Sequence, residues 1–125
     1  CETRYLGNIK DKRLLAATYA AANVFVAPSR MENLANTVLE AMACGTPCAA
    51  FCIGGMPDAI NHGVNGYLAK AFDTAELARG IHTVLTQPSP ARRAAAREKI
   101  EREFTIAEQG RQYHELYQSL VNQPK

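Results

Sequence analysis

The densest chemistry in the chain lies in Pro28-Ser29-Arg30-Met31-Glu32-Asn33-Leu34-Ala35-Asn36-Thr37-Val38-Leu39-Glu40-Ala41-Met42-Ala43-Cys44-Gly45-Thr46-Pro47. The unbroken apolar run Val24-Phe25-Val26-Ala27 leads into it as a strand covered on both faces, and a helix starting near Asn36 or Thr37 leads out. Loop N–H groups and the helix N-terminus then point outward at the carboxyl edge of a sheet, where open α/β sheets bind ligands. Orphan amide donors and the positive end of the helix dipole suit an anion, phosphate above all. Glu32 falls on the loop just outside that position. Glu40 falls inside the helix, roughly 6 Å along its axis at about 1.5 Å per residue.

Carboxylates beside a diphosphate repel it, so a pair of them belongs there only as acceptors for hydroxyl groups on either side. Ribose and sugar are such groups, which favours a nucleotide-sugar over a free nucleoside triphosphate, whose usual Gly-Lys-Ser/Thr loop is absent. The spacing leaves a second reading open: Thr37-x-x-Glu40 is itself a capping box, and Glu32 can be a solvated loop residue.

The elements that must hold this segment follow from punctuation and periodicity. Asp11 is an N-cap for a helix whose residues Leu14, Leu15, Tyr19 and Ala22 predict one buried stripe. Gly45 terminates the Glu40-bearing helix and Pro47 bars its continuation, after which Ala49 to Cys52 reads as a second buried strand. Beyond Gly54-Gly55, Pro57 suits the first position of a short helix ending near Gly63. Val64-Asn65-Gly66 is turn chemistry before a strand at Tyr67 to Ala69. Asp73-x-x-Glu76 is a capping box opening a helix that stops before Pro88. Strand and helix alternate, which predicts a parallel, helix-flanked sheet. In the tail, Ile106, Tyr113, Leu116, Tyr117, Leu120 and Val121 trace one apolar face of a terminal helix, with the two tyrosines read as core or interface.

The ordered set of motifs resembles the C-terminal half-domain of the retaining GT-B glycosyltransferases of the glycosyl transferases group 1 type. Their mark is Pro-Ser, then Glu, seven residues, and Glu-Ala-Met-Ala-x-Gly-x-Pro, matched by Pro28, Ser29, Glu32, Glu40, Ala41, Met42, Ala43, Gly45 and Pro47. Gly54-Gly55-x-Pro57, Gly63-x-x-Gly66-Tyr67-Leu68 and Asp73-x-x-x-Leu77-Ala78 continue the match, and Leu6-Gly7-Asn8-Ile9 with Asp11 resembles the strand-end motif upstream. The resemblance implies a Rossmann-like α/β domain in which Glu40 holds the ribose hydroxyls and Glu32, the residue at the reacting centre, contacts the donor sugar. Backbone of Asn33, Leu34, Ala35, Asn36 and Thr37 would meet sugar and phosphates, and Gly7 and Ile9 would lie by the base. Where the family often has Glu-Gly-Phe-Gly, this chain has Glu32-Asn33-Leu34-Ala35, so the loop path and donor preference are open without the freedom of the two glycines.

The resemblance also implies what lies outside the sequence. The phosphate-neutralising Arg and Lys belong to upstream βα units, and the acceptor site with its catalytic His belongs to a separate N-terminal domain. Residues 1–125 are therefore expected to be a donor-binding domain truncated at its N-terminus, with a core over 1–88 and C-terminal helices over 89–125, and inactive alone. The expected reaction is transfer of a hexosyl group from a nucleotide-diphosphate sugar with retention, without metal or other cofactor, in surface polysaccharide or lipopolysaccharide assembly. The family's strand order 3-2-1-4-5-6 makes Thr3 to Leu6 strand 3 and Val24 to Ala27 strand 4. With strands 1 and 2 absent, the chain is expected to pair those two segments with each other or to dimerise edge to edge. The competing function is a non-catalytic Rossmann-like interaction module, which has no use for the paired carboxylates.

The remaining features exclude more than they identify. Cys44, Cys48 and Cys52 recur every fourth residue, but Gly45 and Pro47 break any helix that would align them, and no C-x-x-C pair is present, so buried thiols are expected and no metal. His62, His82 and His114 fall near a helix end or on helix surfaces, away from Glu32. The chain has 125 residues, 21% of them charged, with a formal net charge of +2. Seven Lys/Arg face seven Asp/Glu over 1–87, and seven face five over 88–125, so no basic block marks a nucleic-acid or membrane surface. No apolar run is long enough to span a bilayer and no signal-peptide stretch is present, so a cytoplasmic location, or one peripheral to the inner membrane through the N-terminal domain, is expected.

Overall fold

The computed structural model describes residues 2–122. Three parallel strands, β1 (Phe25–Ala27), β2 (Cys48–Phe51) and β3 (Gly66–Ala69), form a sheet in the order β1-β2-β3. Val26 pairs with Ala49, and Ala49 in turn with Tyr67. The flanking helices are α1 (Lys12–Ala21), α2 (Asn36–Ala43), α3 (Met56–Ala59), α4 (Thr74–Thr86), α5 (Pro90–Glu103) and α6 (Ile106–Val121). This is the helix-flanked parallel α/β architecture that the alternation of motifs predicts.

β2 is buried along its whole length, and its alternation explains the layers. Cys48 and Ala50 join a cluster with Val38 and Met42 of α2, Met56 of α3 and Ile100 of α5. Ala49 and Phe51 face the other way, toward Ala69 and Leu77 of α4. Both faces are covered, which is why the strand reads as a continuous apolar run without polar alternation.

Caps set the helix boundaries. Asp11 accepts hydrogen bonds from the N–H groups of Arg13 (2.8 Å) and Leu14 (3.3 Å) and starts α1. Asp73 accepts from Glu76 N–H at 2.8 Å, but the Glu76 carboxylate does not return to Asp73. It accepts instead from Lys70 N–H at 2.9 Å and ties the end of β3 to α4. α2 ends as expected at Gly45, whose φ of 74° supplies the left-handed terminator, with Thr46 N–H bonded back to Ala41 O at 2.9 Å.

Four expectations are corrected. Thr3 to Leu6 is not a strand: residues 2–11 have no regular structure, with Tyr5 95% exposed. A strand inside a parallel sheet is covered on both faces, and alternation would bury Arg4 with Leu6 on one face and Thr3 with Tyr5 on the other. The outer edge of β1 consequently has no partner strand among the described residues. α3 ends at Ala59 rather than near Gly63, because the buried Asn65 side chain takes Asn61 N–H (2.8 Å) and donates to Ala59 O (3.2 Å), diverting the groups that would extend the helix. The α1 stripe is only half-buried, with Leu14 exposed.

The fourth concerns α6, which buries none of its residues; Tyr113 and Tyr117 stack on each other at 6.4 Å in the open, which removes the core alternative for them and leaves the interface one. Phe104, just before it, does pack against the core. Truncation after Thr105 is therefore expected to lower the thermal midpoint by less than about 2 °C, since a segment with no buried apolar contacts adds little to global stability. Calorimetry of the shortened chain checks this; a loss comparable to that of a core substitution would mean the α6 face is covered in solution.

Candidate functional site

The irregular segment between β1 and α2 carries Glu32, half-buried, and delivers Glu40, exposed, within α2. Its floor is the Gly54-Gly55 turn after β2. Gly55 N–H donates to the Asn33 carbonyl, and Gly54 sits at φ 49° with the Glu32–Asn33 backbone directly against its α-carbon. A methyl group on Gly54 would overlap the Glu32 carbonyl oxygen and stand 2.8 Å from that of Asn33. In the sequence these glycines stand out only as part of the Gly54-Gly55-x-Pro57 motif; their close approach to a loop some twenty residues upstream is a tertiary fact.

The loop reaches its path without the glycines often found after the first acid. Leu34 turns into the core cluster and Ala35 is buried, and among the described residues the one non-glycine at positive φ is Phe72, at 66°. Leu34 and Ala35 therefore present backbone, not side chain, to anything bound outside. Asn33, Asn36 and Thr37 are exposed.

The start of α2 differs from the capping-box reading. Ala35 is the N-cap, with the N–H groups of Val38 (3.0 Å) and Leu39 (3.2 Å) on its carbonyl and no side-chain cap, so Thr37 lies inside the helix. The terminus thus keeps its first-turn donors free of any side-chain cap, which suits an anion. Glu40 does not reach back to the cap; its Oε2 accepts from the Tyr19 hydroxyl at 3.2 Å. Burial and the Glu40 carboxylate together push the Tyr19 pKa upward. The two side chains border a cleft of ≈ 400 Å³ between α1 and α2, lined also by Lys12, Leu15 and Cys44.

Gly7 and Ile9 are not brought to this cleft: they lie on the irregular segment before α1, Gly7 exposed and Ile9 half-buried. Arg30, the one cation in residues 28–47, stacks its guanidinium 5.1 Å above the Phe72 ring, beside Pro28 and Phe51 at the carboxyl edge of the sheet. Sequence reading missed both this contact and the Tyr19–Glu40 bond. Tyr19 was legible only as part of an apolar stripe, and nothing local tells where its hydroxyl points.

The cysteines differ from the expectation of buried thiols. Cys48 is buried, and burial pushes its pKa up to about 12, but Cys44 is half-buried and Cys52, one residue past β2, is exposed. No group of three or more His, Cys, Asp or Glu comes together as a metal site among the described residues. His62 does not cap a helix; its Nδ1 pairs with the backbone of Leu68 (3.2 Å to N, 3.0 Å to O), and its ring lies 4.5 Å from that of Tyr67. No helix among the described residues is long and apolar enough to cross a membrane.

Comparison with known proteins identifies the family and the fold. The chain is 41% identical over 83 residues to a D-inositol 3-phosphate glycosyltransferase of Mycobacterium avium (strain 104), covering 66% of this chain and 20% of that protein. The corresponding protein of Geodermatophilus obscurus is 45% identical over 74 residues, 59% of this chain and 16% of its own. The chain thus spans about a fifth of the length of such relatives. Among solved structures, sucrose-phosphate synthase from Thermosynechococcus elongatus superposes with a TM-score of 0.82 at 33% identity, over 94% of this chain and 30% of that one. Anabaena Alr3699/HepE in complex with UDP-glucose gives 0.72 at 29% identity, over 84% and 30%. The sequence profile described as "Glycosyl transferases group 1" matches residues 2–87, and the chain, with its parallel sheet and its carboxylate pair astride the start of α2, belongs to that family.

Proposed function

We propose that this chain is the donor-binding part of a glycosyltransferase that transfers a hexosyl group from a nucleotide-diphosphate sugar with retention at the anomeric carbon, without a metal or other cofactor. The observation that carries the reading is the pair Glu32 and Glu40 on either side of an α2 N-terminus that no side chain caps. A diphosphate seated on those N–H groups has its ribose hydroxyls toward Glu40 and its sugar toward Glu32, with the backbone of residues 33–37 between. Neighbouring structures that bind UDP and UDP-glucose support a nucleoside diphosphate as the ligand class.

In the reaction the bond between the anomeric carbon and the diphosphate oxygen breaks, and the charge that develops on the diphosphate must be stabilised. The α2 terminus supplies part of that. The acceptor site and further cations belong, in this proposal, to parts of the enzyme outside this chain, as does the strand that pairs with the outer edge of β1. The related proteins are named for D-inositol 3-phosphate and sucrose phosphate, which supports a phosphorylated small-molecule acceptor at least as well as a growing surface polysaccharide. A cytoplasmic location, or attachment to the inner membrane through another domain, fits a nucleotide-sugar donor.

Titration of the 125-residue chain with UDP, followed by backbone amide NMR shifts, tests the site. Shifts are expected at Asn36, Thr37 and Glu40 with a dissociation constant weaker than about 1 mM, no better than about −4 kcal/mol. Micromolar affinity would overturn the idea that the main cations lie elsewhere. Saturable binding that leaves residues 32–40 unmoved would overturn the site.

A further inference from the structure

Glu40 is an exposed glutamate, and an exposed glutamate samples many rotamers; a side chain that must meet two ribose hydroxyls in one geometry loses that freedom on binding unless something holds it beforehand. Tyr19 is placed to hold it. Its hydroxyl donates to Oε2 of Glu40 at 3.2 Å, the one side-chain hydrogen bond Glu40 makes among the described residues. Oε1 is left to accept from a ligand.

The phenol is itself anchored from several directions. Its ring packs edge-on against Phe25 of β1, centroids 5.6 Å apart. Its carbonyl accepts from the hydroxyl of Thr46, a fully buried residue, at 2.6 Å. Arg93 of α5 donates to the carbonyls of Ala20 (2.8 Å) and Ala22 (2.9 Å), so the last turn of α1 is tied to an element some seventy residues away in sequence. The raised pKa of Tyr19 keeps its hydroxyl protonated, and therefore a donor, throughout the neutral range.

We infer that Tyr19 is a positioning residue, one that orients the Glu40 carboxylate toward the ribose diol and is held for that purpose by Thr46 and Arg93. The inference rests on the donor-binding reading of Glu40 given above. It assigns a function to the contact between α1 and α2 that packing alone does not require, because Phe at position 19 would fill the same space against Phe25.

Calorimetry on the transferase containing this chain tests it, with UDP and 2′,3′-dideoxy-UDP as probes and Tyr19→Phe, Glu40→Ala and the double variant as proteins. Tyr19→Phe is expected to weaken UDP three- to ten-fold, to leave 2′,3′-dideoxy-UDP unchanged, and to add nothing in the Glu40→Ala background. Unchanged UDP affinity in Tyr19→Phe overturns the inference, and so does an equal loss for both nucleotides, which a general structural defect would give. A Tyr19→Phe loss that persists in full when Glu40 is Ala also overturns it, since nothing would remain to be positioned. If Glu40→Ala alone leaves UDP affinity unchanged, it is the ribose assignment that falls, and the positioning with it; the single variants separate the two failures.

Discussion

Replacing Gly54 by Ala is expected to destabilise the chain by about 2–5 kcal/mol and to abolish donor binding with it. Two costs add. A residue with a β-carbon pays roughly 1–2 kcal/mol to hold the left-handed region that Gly54 occupies at φ 49°. The new methyl group also overlaps the Glu32 carbonyl oxygen and comes within 2.8 Å of that of Asn33, both backbone atoms that cannot rotate away. Relief requires the loop to lift off β2, which breaks the Gly55 to Asn33 hydrogen bond and moves the Glu32 carboxylate off its position. Against a typical total stability of about 5–15 kcal/mol, the thermal midpoint falls on the order of 10 °C. Gly110→Ala is the control: it lies in α6 with nothing within 4 Å of an added methyl group, and gains about 0.5–1 kcal/mol of helix stability. Equal midpoints for Gly54→Ala and the unaltered chain would show that the loop does not rest on this turn.

The second large effect falls on function with little cost to folding. On the proposed donor-binding reading, Glu40→Ala in a full-length transferase carrying this domain is expected to lower kcat/KM for the nucleotide-sugar about 100-fold, the equivalent of about 3 kcal/mol, from the two hydroxyl-to-carboxylate hydrogen bonds which that reading assigns to it, at about 1.5–3 kcal/mol each with partial replacement by water. The loss should appear chiefly in KM, because the ribose is bound alike in the ground and transition states. Glu40→Gln, which keeps a carbonyl acceptor but loses the charge, is expected near a 10-fold loss, or about 1.4 kcal/mol. The side chain is exposed and caps nothing, so the stability of both variants should stay within about 0.5 kcal/mol of the original. Steady-state kinetics with varied donor decide the matter; Gln at position 40 with undiminished donor use would remove Glu40 from the ribose.

The order of elements was written in the sequence because each is fixed by local chemistry. Val24-Phe25-Val26-Ala27 and Ala49-Ala50-Phe51-Cys52 have no charged residue to offer solvent and read as covered strands; the second forms one residue earlier, over Cys48–Phe51, with Cys52 exposed beyond its end. Asp11, Asp73 and Gly45 fix helix ends through bonds or backbone angles within a few residues of themselves. The spacing of Glu32 and Glu40 about the start of α2 was legible for the same reason: helical rise and a strand–loop–helix order suffice to place both carboxylates near one terminus.

Tertiary structure alone decided everything that depends on surfaces meeting. Thr3 to Leu6 matched a strand motif, yet a strand is stable only against a neighbour, and Thr3 and Arg4 would set a polar residue on each face where a parallel sheet demands apolar cover. Ile106 to Val121 carried an apolar stripe, and periodicity shows that a face is apolar without showing what lies against it; here α6 leaves it exposed. Asn65 shortens α3 through bonds to Asn61 and Ala59 that require the chain to have folded back, and the steric part of the demand for glycine at position 54 arises because the Glu32 loop comes to rest on it. The sharpest case is Tyr19. Its ring could be read as packing, but the partner of its hydroxyl, 21 residues along the chain, depends on how α1 is pinned by Thr46 and Arg93 against α2. Sequence determines which groups are available and where each element begins and ends; contact between elements distant in sequence, where burial and hydrogen-bond satisfaction are settled together, determines which of those groups form a site.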